Sequence, residues 1–323
     1  MTSAEQAGPA AKADPSGNGL VTVAPPPSAQ TAATSPASAT TPARKATAGK
    51  PRSSDNVVRS VGVTLTLLAV AILGFVGYLY FLSGVQEARS QTTLYAELQY
   101  QLSQAIAPTG PTTPGKPVAL LDIPAIGVSN MVVVEGTSPE NLTVGPGHLR
   151  DTPLPGQGGI SVVFGRRATF GAPFSRLPSL RKGDLITTIT SQGMSRYQVI
   201  TVSSSAKPVP FSQLPNQLLL VTADSQFAPA HYVEVEAKLA TAVQPEPGNL
   251  PVVGSPEVAL GRDFYALIPG MAWAIALAAA ALLGSLAAAR WARWPAWSAT
   301  IPVILAIVWN LYQCLTALLP NLY

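Results

Sequence analysis

Hydrophobic and polar positions divide this chain into stretches of different period. Residues 61–82, VGVTLTLLAVAILGFVGYLYFL, are apolar almost throughout and carry no charge. At a rise of about 1.5 Å per residue, such a run crosses a hydrocarbon layer about 30 Å thick as one helix. Two later runs, 264–289 and 296–319, meet the same requirement. Beyond the first run the apolar positions thin to a stripe. Leu94, Leu98, Leu102 and Ile106 recur every fourth residue, which predicts an amphipathic helix leading out of the span. PTGPTTPGKP breaks that helix, so 84–117 reads as helix and linker.

From 118 to 240 the period falls towards two. Short β-branched runs (VALLDIPAIGV, MVVVEG, ISVVFG, DLITTITS, SRYQVITVSS, QLLLVTA and HYVEVEAKL) are separated by Gly, Pro, Asn and Ser. Closely spaced strands with turn signals predict an all-β sandwich or barrel. FSRLPSLRKGD fits a short helical turn between two of the strands. About 120 residues can bury a core without a disulfide. The Pro- and Gly-rich stretch 241–262 then links this domain to the last two apolar runs.

Composition sharpens the picture. Hydrophobic residues make up 47% of the 323 and charged residues 11%, too few charges for an ordinary soluble surface. Residues 1–58 are rich in Ala, Pro, Ser and Thr and offer almost no large apolar side chain, so they are expected to form a disordered cytoplasmic tail. Arg44, Lys45, Lys50, Arg52 and Arg59 precede the first span, and Arg290 and Arg293 lie between the other two. The positive-inside rule then places the tail inside and 84–262 outside. Ala278, Ala281, Gly284 and Ala288 would allow close helix packing on the second span. The net charge of +4 is modest and gives no reason to expect a nucleic-acid partner. The single cysteine, Cys314, excludes an internal disulfide, and two histidines, His148 and His231, suggest no metal site. No cofactor is expected.

Several segments of the β region carry a family resemblance. LDIPAIGV, VVVEGTSPENLTVGPGHLRDTPLPGQGG, VVFGRRATFGAPFSRLPSLRKGDLI and the pair LLLVTA and HYVEVEA occur in this order. Together, with GPGH, TPLPGQ and the F-x-x-L-x-x-L-x-x-G-D pattern at the right separations, they resemble the sortases, surface transpeptidases of Gram-positive bacteria, in their class D and E forms. The resemblance covers 118–239. It implies an eight-stranded β-barrel in which a cysteine thiolate attacks a peptide carbonyl, a histidine moves protons and an arginine steadies the oxyanion.

Each role falls on a changed residue. The family's Gly-His-Arg stands here as Gly165-Arg166-Arg167, and a guanidinium has no acceptor lone pair with which to take a proton. The Thr-Cys that ends the nucleophile strand is Thr222-Ala223, and a methyl group forms no thioester. The arginine that opens the last strand corresponds to Tyr232, or to His231 if the loop is offset by one. His148, Arg166, Arg167, Thr222 and Asp224 remain as candidate cleft groups. Arg166 and Arg167 are expected to give the cleft a positive rim for a carboxylate or an envelope phosphate.

Three functions follow as expectations. The first is a catalytically inactive, multi-pass protein of the bacterial plasma membrane. Its extracytoplasmic barrel would bind or scaffold a surface-protein peptide, another sortase or an envelope polymer. The second is a transpeptidase or hydrolase with a rearranged site built on Thr222, Ser225 or His148. The third is a membrane-structural protein whose barrel is a spacer.

Overall fold

The computed structural model describes residues 53–205, 215–226, 229–246, 248–290 and 293–323. The tail expected over 1–58 lies outside them as far as residue 52. So do Trp291 and Ala292 in the turn between the last two apolar runs.

Eight strands close into a barrel. They are β1 (Pro117–Ile123), β2 (Val128–Glu135), β3 (Gly147–His148), β4 (Ile160–Phe164), β5 (Leu185–Thr190), β6 (Gly193–Ser205), β7 (Gln217–Ala223) and β8 (Tyr232–Leu239). Their order around the barrel is β1-β2-β3-β4-β7-β8-β6-β5. Two pairings, β2 with β3 and β4 with β7, are parallel, and the rest are antiparallel. The short turn expected in FSRLPSLRKGD is a 3-10 helix at Leu177–Ser179.

Strand β7 is buried along its whole length because both of its faces are covered. Leu218 and Leu220 point into the barrel core with Val163, Val199, Val235 and Phe174. The alternate residues, Leu219, Val221 and Ala223, belong to a second cluster on the outer side of the wall, with Val162 and Phe164 of β4. This is the period-two geometry of a strand applied to a wall that packs on both sides.

The first apolar run forms α1 (Ser53–Gly77), which continues through a π-helical turn at Tyr78–Leu82 into α2 (Ser83–Ser103). Leu94, Leu98 and Leu102 of α2 lie on Leu120, Val132 and Ile189 of the barrel. Ile106 falls beyond the helix and is exposed, so the stripe stops one residue short of its expected length. Strand β3 is too short to satisfy the edge of β2. Gln91 of α2 does so instead: its Oε1 accepts from the Val132 N–H at 2.8 Å and its Nε2 donates to the Val132 carbonyl at 3.1 Å.

The other two runs form α3 (Leu267–Arg290) and α4 (Arg293–Ala317). Among the described residues three helices are thus long and apolar enough to cross a membrane, over Val61–Ser103, Phe264–Ala287 and Ser298–Ala317. A Cβ at Gly284 would run into Thr300, so α3 and α4 approach closely there. Tyr312 of α4 donates to the Ala71 carbonyl at 2.8 Å, and its ring lies 5.3 Å from that of Phe75 on α1.

Candidate functional site

The ends of β4, β7 and β8 meet at one place on the outer wall. Phe164 pairs with Val221, and the Gly165 N–H donates to the Val221 carbonyl at 3.0 Å. Ala223 pairs with Tyr232 across β7 and β8. Ala223 and the Tyr232 ring share the outer apolar cluster, whereas His231 turns away to solvent. The register therefore chooses Tyr232 over His231 as the residue facing Ala223.

Arg166 does not form a rim. It is 0% exposed. Its Nε donates to the Leu142 carbonyl at 3.0 Å, one terminal nitrogen to the Pro139 carbonyl at 3.2 Å, and the other to Thr169 Oγ1 at 3.3 Å. The guanidinium also lies 4.9 Å from the centre of the Phe170 ring. Burial lowers its pKa to about 10, with the field of Tyr78 acting the other way, so the side chain remains a cation at neutral pH. A cation enclosed by two carbonyls, a hydroxyl and a ring has no face left for an anionic ligand. The expected positive rim is corrected accordingly: Arg166 bolts loop 139–142 to loop 169–170.

That second loop needs holding. Phe170, Gly171 and Ala172 all have positive φ (50°, 72° and 46°), a conformation that costs about 1 kcal/mol or more for a residue with a side chain. Besides Arg166, the loop is fixed by Ser83 Oγ, which accepts from the Phe170 N–H at 3.0 Å. Tyr78 also packs edge-on against Phe170, 6.5 Å between ring centres. Gly165 has its own constraint, since a Cβ there would enter the Phe174 ring. Arg167 is half-buried and donates to the Ser175 carbonyl. Burial lowers its pKa, and the Asp224 carboxylate works against that shift. Only one terminal nitrogen is bonded to protein, and its buried Nε has no hydrogen-bond partner among the described residues.

The other candidates separate. Thr222 is fully buried and donates to the Gly165 carbonyl at 2.8 Å, which places it in the wall rather than the cleft. His148 is also a buried group and no cleft residue. Its Nδ1 is 3.0 Å from Glu135 Oε2 and its Nε2 3.0 Å from the Pro153 carbonyl, so it anchors the 148–153 loop to β2. Asp224 faces solvent at the β7–β8 turn. Its Oδ1 accepts from the N–H groups of Ala230 and His231, both at 3.2 Å, and its Oδ2 lies 3.0 Å from His231 Nδ1.

The outer apolar cluster around Ala223 includes a residue from beyond α4. Leu322, 0% exposed, belongs to the same cluster as Ala223, Val221, Phe164 and Leu142, with Tyr232 and Leu260 packed against it. The Arg167 N–H donates to the Leu322 carbonyl at 3.0 Å, and Thr169 Oγ1 to the Tyr323 carbonyl at 2.7 Å. Sequence reasoning missed Leu322, Thr169 and Phe170. Residue 322 reads only as the trailing edge of an apolar run.

Residues 121–240 match the Sortase domain family. Sortase E from Streptomyces avermitilis is 33% identical over 40% of this chain and 91% of that one, with a TM-score of 0.36. The chain belongs to the sortase family. Sortase D of Bacillus subtilis (strain 168) is 34% identical over 86 residues, which are 27% of this chain. The match spans 41% of that relative's length. A Clostridium perfringens sortase D5 transpeptidase is 21% identical over 47% of this chain and 99% of that one, with a TM-score of 0.42.

Proposed function

We propose that this sortase-family chain is a non-catalytic membrane protein. Its extracytoplasmic barrel binds or scaffolds a component of bacterial surface-protein or envelope assembly, such as a surface-protein peptide, another sortase or an envelope polymer. One observation carries the reading. Where the family motif calls for a thiolate, a base and an oxyanion cation, three converging positions hold the Ala223 methyl, the enclosed Arg166 guanidinium and the Tyr232 phenol. No covalent acyl step can begin on a methyl group.

The topology belongs to the same proposal. The barrel packs on Tyr78 and Leu79 at the end of the first span, through Phe170, and on Leu322 beyond the third. These two ends lie on one side, with Arg290 at the opposite end of α3. The basic residues before the first span and between the other two support an outward-facing barrel under the positive-inside rule.

The test is the full chain in nanodiscs, given sorting-signal peptides with an amine acceptor. No peptide cleavage or transfer above the protein-free control is expected, and cross-linking in native membranes should capture a surface protein, a sortase or an envelope polymer. Turnover accompanied by a trapped bond between peptide and any side chain would sink the reading.

A second reading has one observation in its favour. Asp224, which precedes Ser225 in sequence, fixes His231 through Nδ1, and Nε2 has no partner among the described residues, as would suit a base in a hydrolase with a rearranged site. Hydrolysis by the unaltered chain that disappears in His231→Gln would favour this reading, and its absence returns His231 to the turn.

A further inference from the structure

We propose that the cleft beside Ala223 is a peptide-binding groove already loaded in cis with this chain's own segment 320–323, which closes the site and locks the barrel to the membrane helices. The proposal deepens the binding reading above by naming the groove's occupant.

The segment is held as a peptide ligand is held, by main chain and side chain together. On one side the Asn321 N–H donates to the Gly261 carbonyl at 3.0 Å. On the other, Arg167 N–H reaches the Leu322 carbonyl and Thr169 Oγ1 the Tyr323 carbonyl. Arg167 and Thr169 flank the loop that Arg166 secures, so the residue in the family's base position holds one wall of the groove. Ala223 in the nucleophile position forms part of its floor.

Each side chain has its own recess. Asn321 is 0% exposed. Its Nδ2 faces three carbonyls, those of Pro256 at 2.6 Å, Val258 at 2.9 Å and Thr137 at 3.2 Å. Its buried Oδ1 has no partner among the described residues, while the amide's two N–H groups, one of them shared, serve the three carbonyls. An aspartate of the same shape would set a carboxylate oxygen against them. Leu322 enters the apolar cluster at Ala223. Tyr323 shares a hydrogen bond with Tyr80 at 3.1 Å, which ties the segment to the end of the first span. The ligand pattern is therefore an amide side chain, then a leucine, then a tyrosine, on a stretch that follows proline.

Tethering sets how the groove can be used. A segment joined to α4 by a few residues acts at an effective concentration on the order of millimolar. A weak free peptide cannot displace it. A partner opens the groove only by binding more tightly or by drawing the segment away, and either event also frees the barrel from α4, while α2 and the Tyr78–Phe170 contact still join it to the first span.

The test uses the full chain in nanodiscs with Cys314→Ala, so that introduced thiols are the only ones. Ala223→Cys together with Leu322→Cys should form an intramolecular disulfide under mild oxidant. Ala223→Cys alone should react with a maleimide about tenfold or more slowly than the same thiol in a Leu322→Asp chain or in one lacking residues 320–323, because a covered thiol waits for local opening. A synthetic peptide of residues 319–323, Leu-Pro-Asn-Leu-Tyr, should restore protection to the shortened chain, and the same peptide with Asp for Asn should not. Failure of the disulfide to form, or equal labelling in all three chains, overturns the proposal. So does a peptide that gives no protection, or equal protection from the Asp peptide. The double-cysteine chain keeps the native length, so the result survives misfolding of the shortened one. Turnover by the unaltered chain would sink the non-catalytic reading and leave these labelling rates unchanged.

Discussion

The two faces of β7 hold different kinds of core. On the inner face Leu218 and Leu220 meet residues that all lie between Val118 and Leu239, within the strands and turns of the barrel itself. On the outer face Leu219, Val221 and Ala223 meet Leu142, Ala259, Leu260 and Leu322, so that cluster is finished by the linker and by a residue beyond the last span. The inner core makes a barrel. The outer core joins this barrel to the segments around helices that are long and apolar enough to cross a membrane. On the non-catalytic reading proposed above, the positions of Arg166 and Ala223 are free for packing, and both residues are buried in that way.

Arg166 gives the largest expected effect on the outer side. Removing the side chain in Arg166→Ala deprives the Pro139 and Leu142 carbonyls and the Thr169 hydroxyl of their donor and leaves a cavity beneath Phe170. A loss of about 3–5 kcal/mol is expected, since a buried carbonyl left without its donor costs about 1–3 kcal/mol and the removed side chain leaves a cavity as well. The measurement is denaturant unfolding of the full chain in detergent. Arg166→His, which restores the family residue, should also destabilise, because an imidazole cannot span three partners. A neutral result for both would mean that the loops hold themselves.

Leucine truncations compare the faces directly. Leu220→Ala should cost about 3 kcal/mol and raise amide exchange throughout the barrel, since its cavity opens in the shared core. Leu322→Ala should cost about 2 kcal/mol, with faster exchange confined to 137–143, 166–172 and the end of β7. If Leu322→Ala loosened every strand alike, the two cores would be one.

This division also explains what could be read from the chain before folding. Seven of the strands announce themselves through β-branched runs, and the three spans through length. Strand β3, only Gly147–His148, has no period to detect, and the edge it leaves is completed by Gln91 from a helix. That Arg166, Ala223 and Tyr232 stand where the resemblance expects other residues was legible, because it is a question of residue type. What packs around them was not. Arginine is most often a surface residue, and the acceptors that bury Arg166 are main-chain carbonyls, which any sequence supplies. Tyr232 and His231 stayed equivalent until strand pairing set Ala223 against Tyr232. Leu322 could not be placed in the cluster of Ala223 by any local pattern, since 98 residues and two long apolar helices intervene between them.

The smallest effect belongs to the exposed rim of the same site, at Asp224. Its slight burial raises the carboxyl pKa, but the N–H groups of His231 and Ala230 and the His231 side chain outweigh that and hold it below the usual carboxylate value. A carboxyl whose folded pKa is depressed contributes stability above its unfolded pKa, near about 4, and loses that contribution as pH falls through the folded value. Solvent screens the group, so the contribution is well under about 1 kcal/mol and shows in the turn before it shows in global unfolding. The backbone amide shifts of Ala230 and His231, followed by NMR into the acid range, should move in a single step below the ordinary carboxylate pKa. In Asp224→Asn, which keeps an acceptor oxygen but no titrating carboxyl, that step should vanish. A step that persists in the variant would assign the titration to another group and leave the β7–β8 turn indifferent to Asp224. It would also separate the turn from the groove, whose wall at Arg167 feels the Asp224 charge.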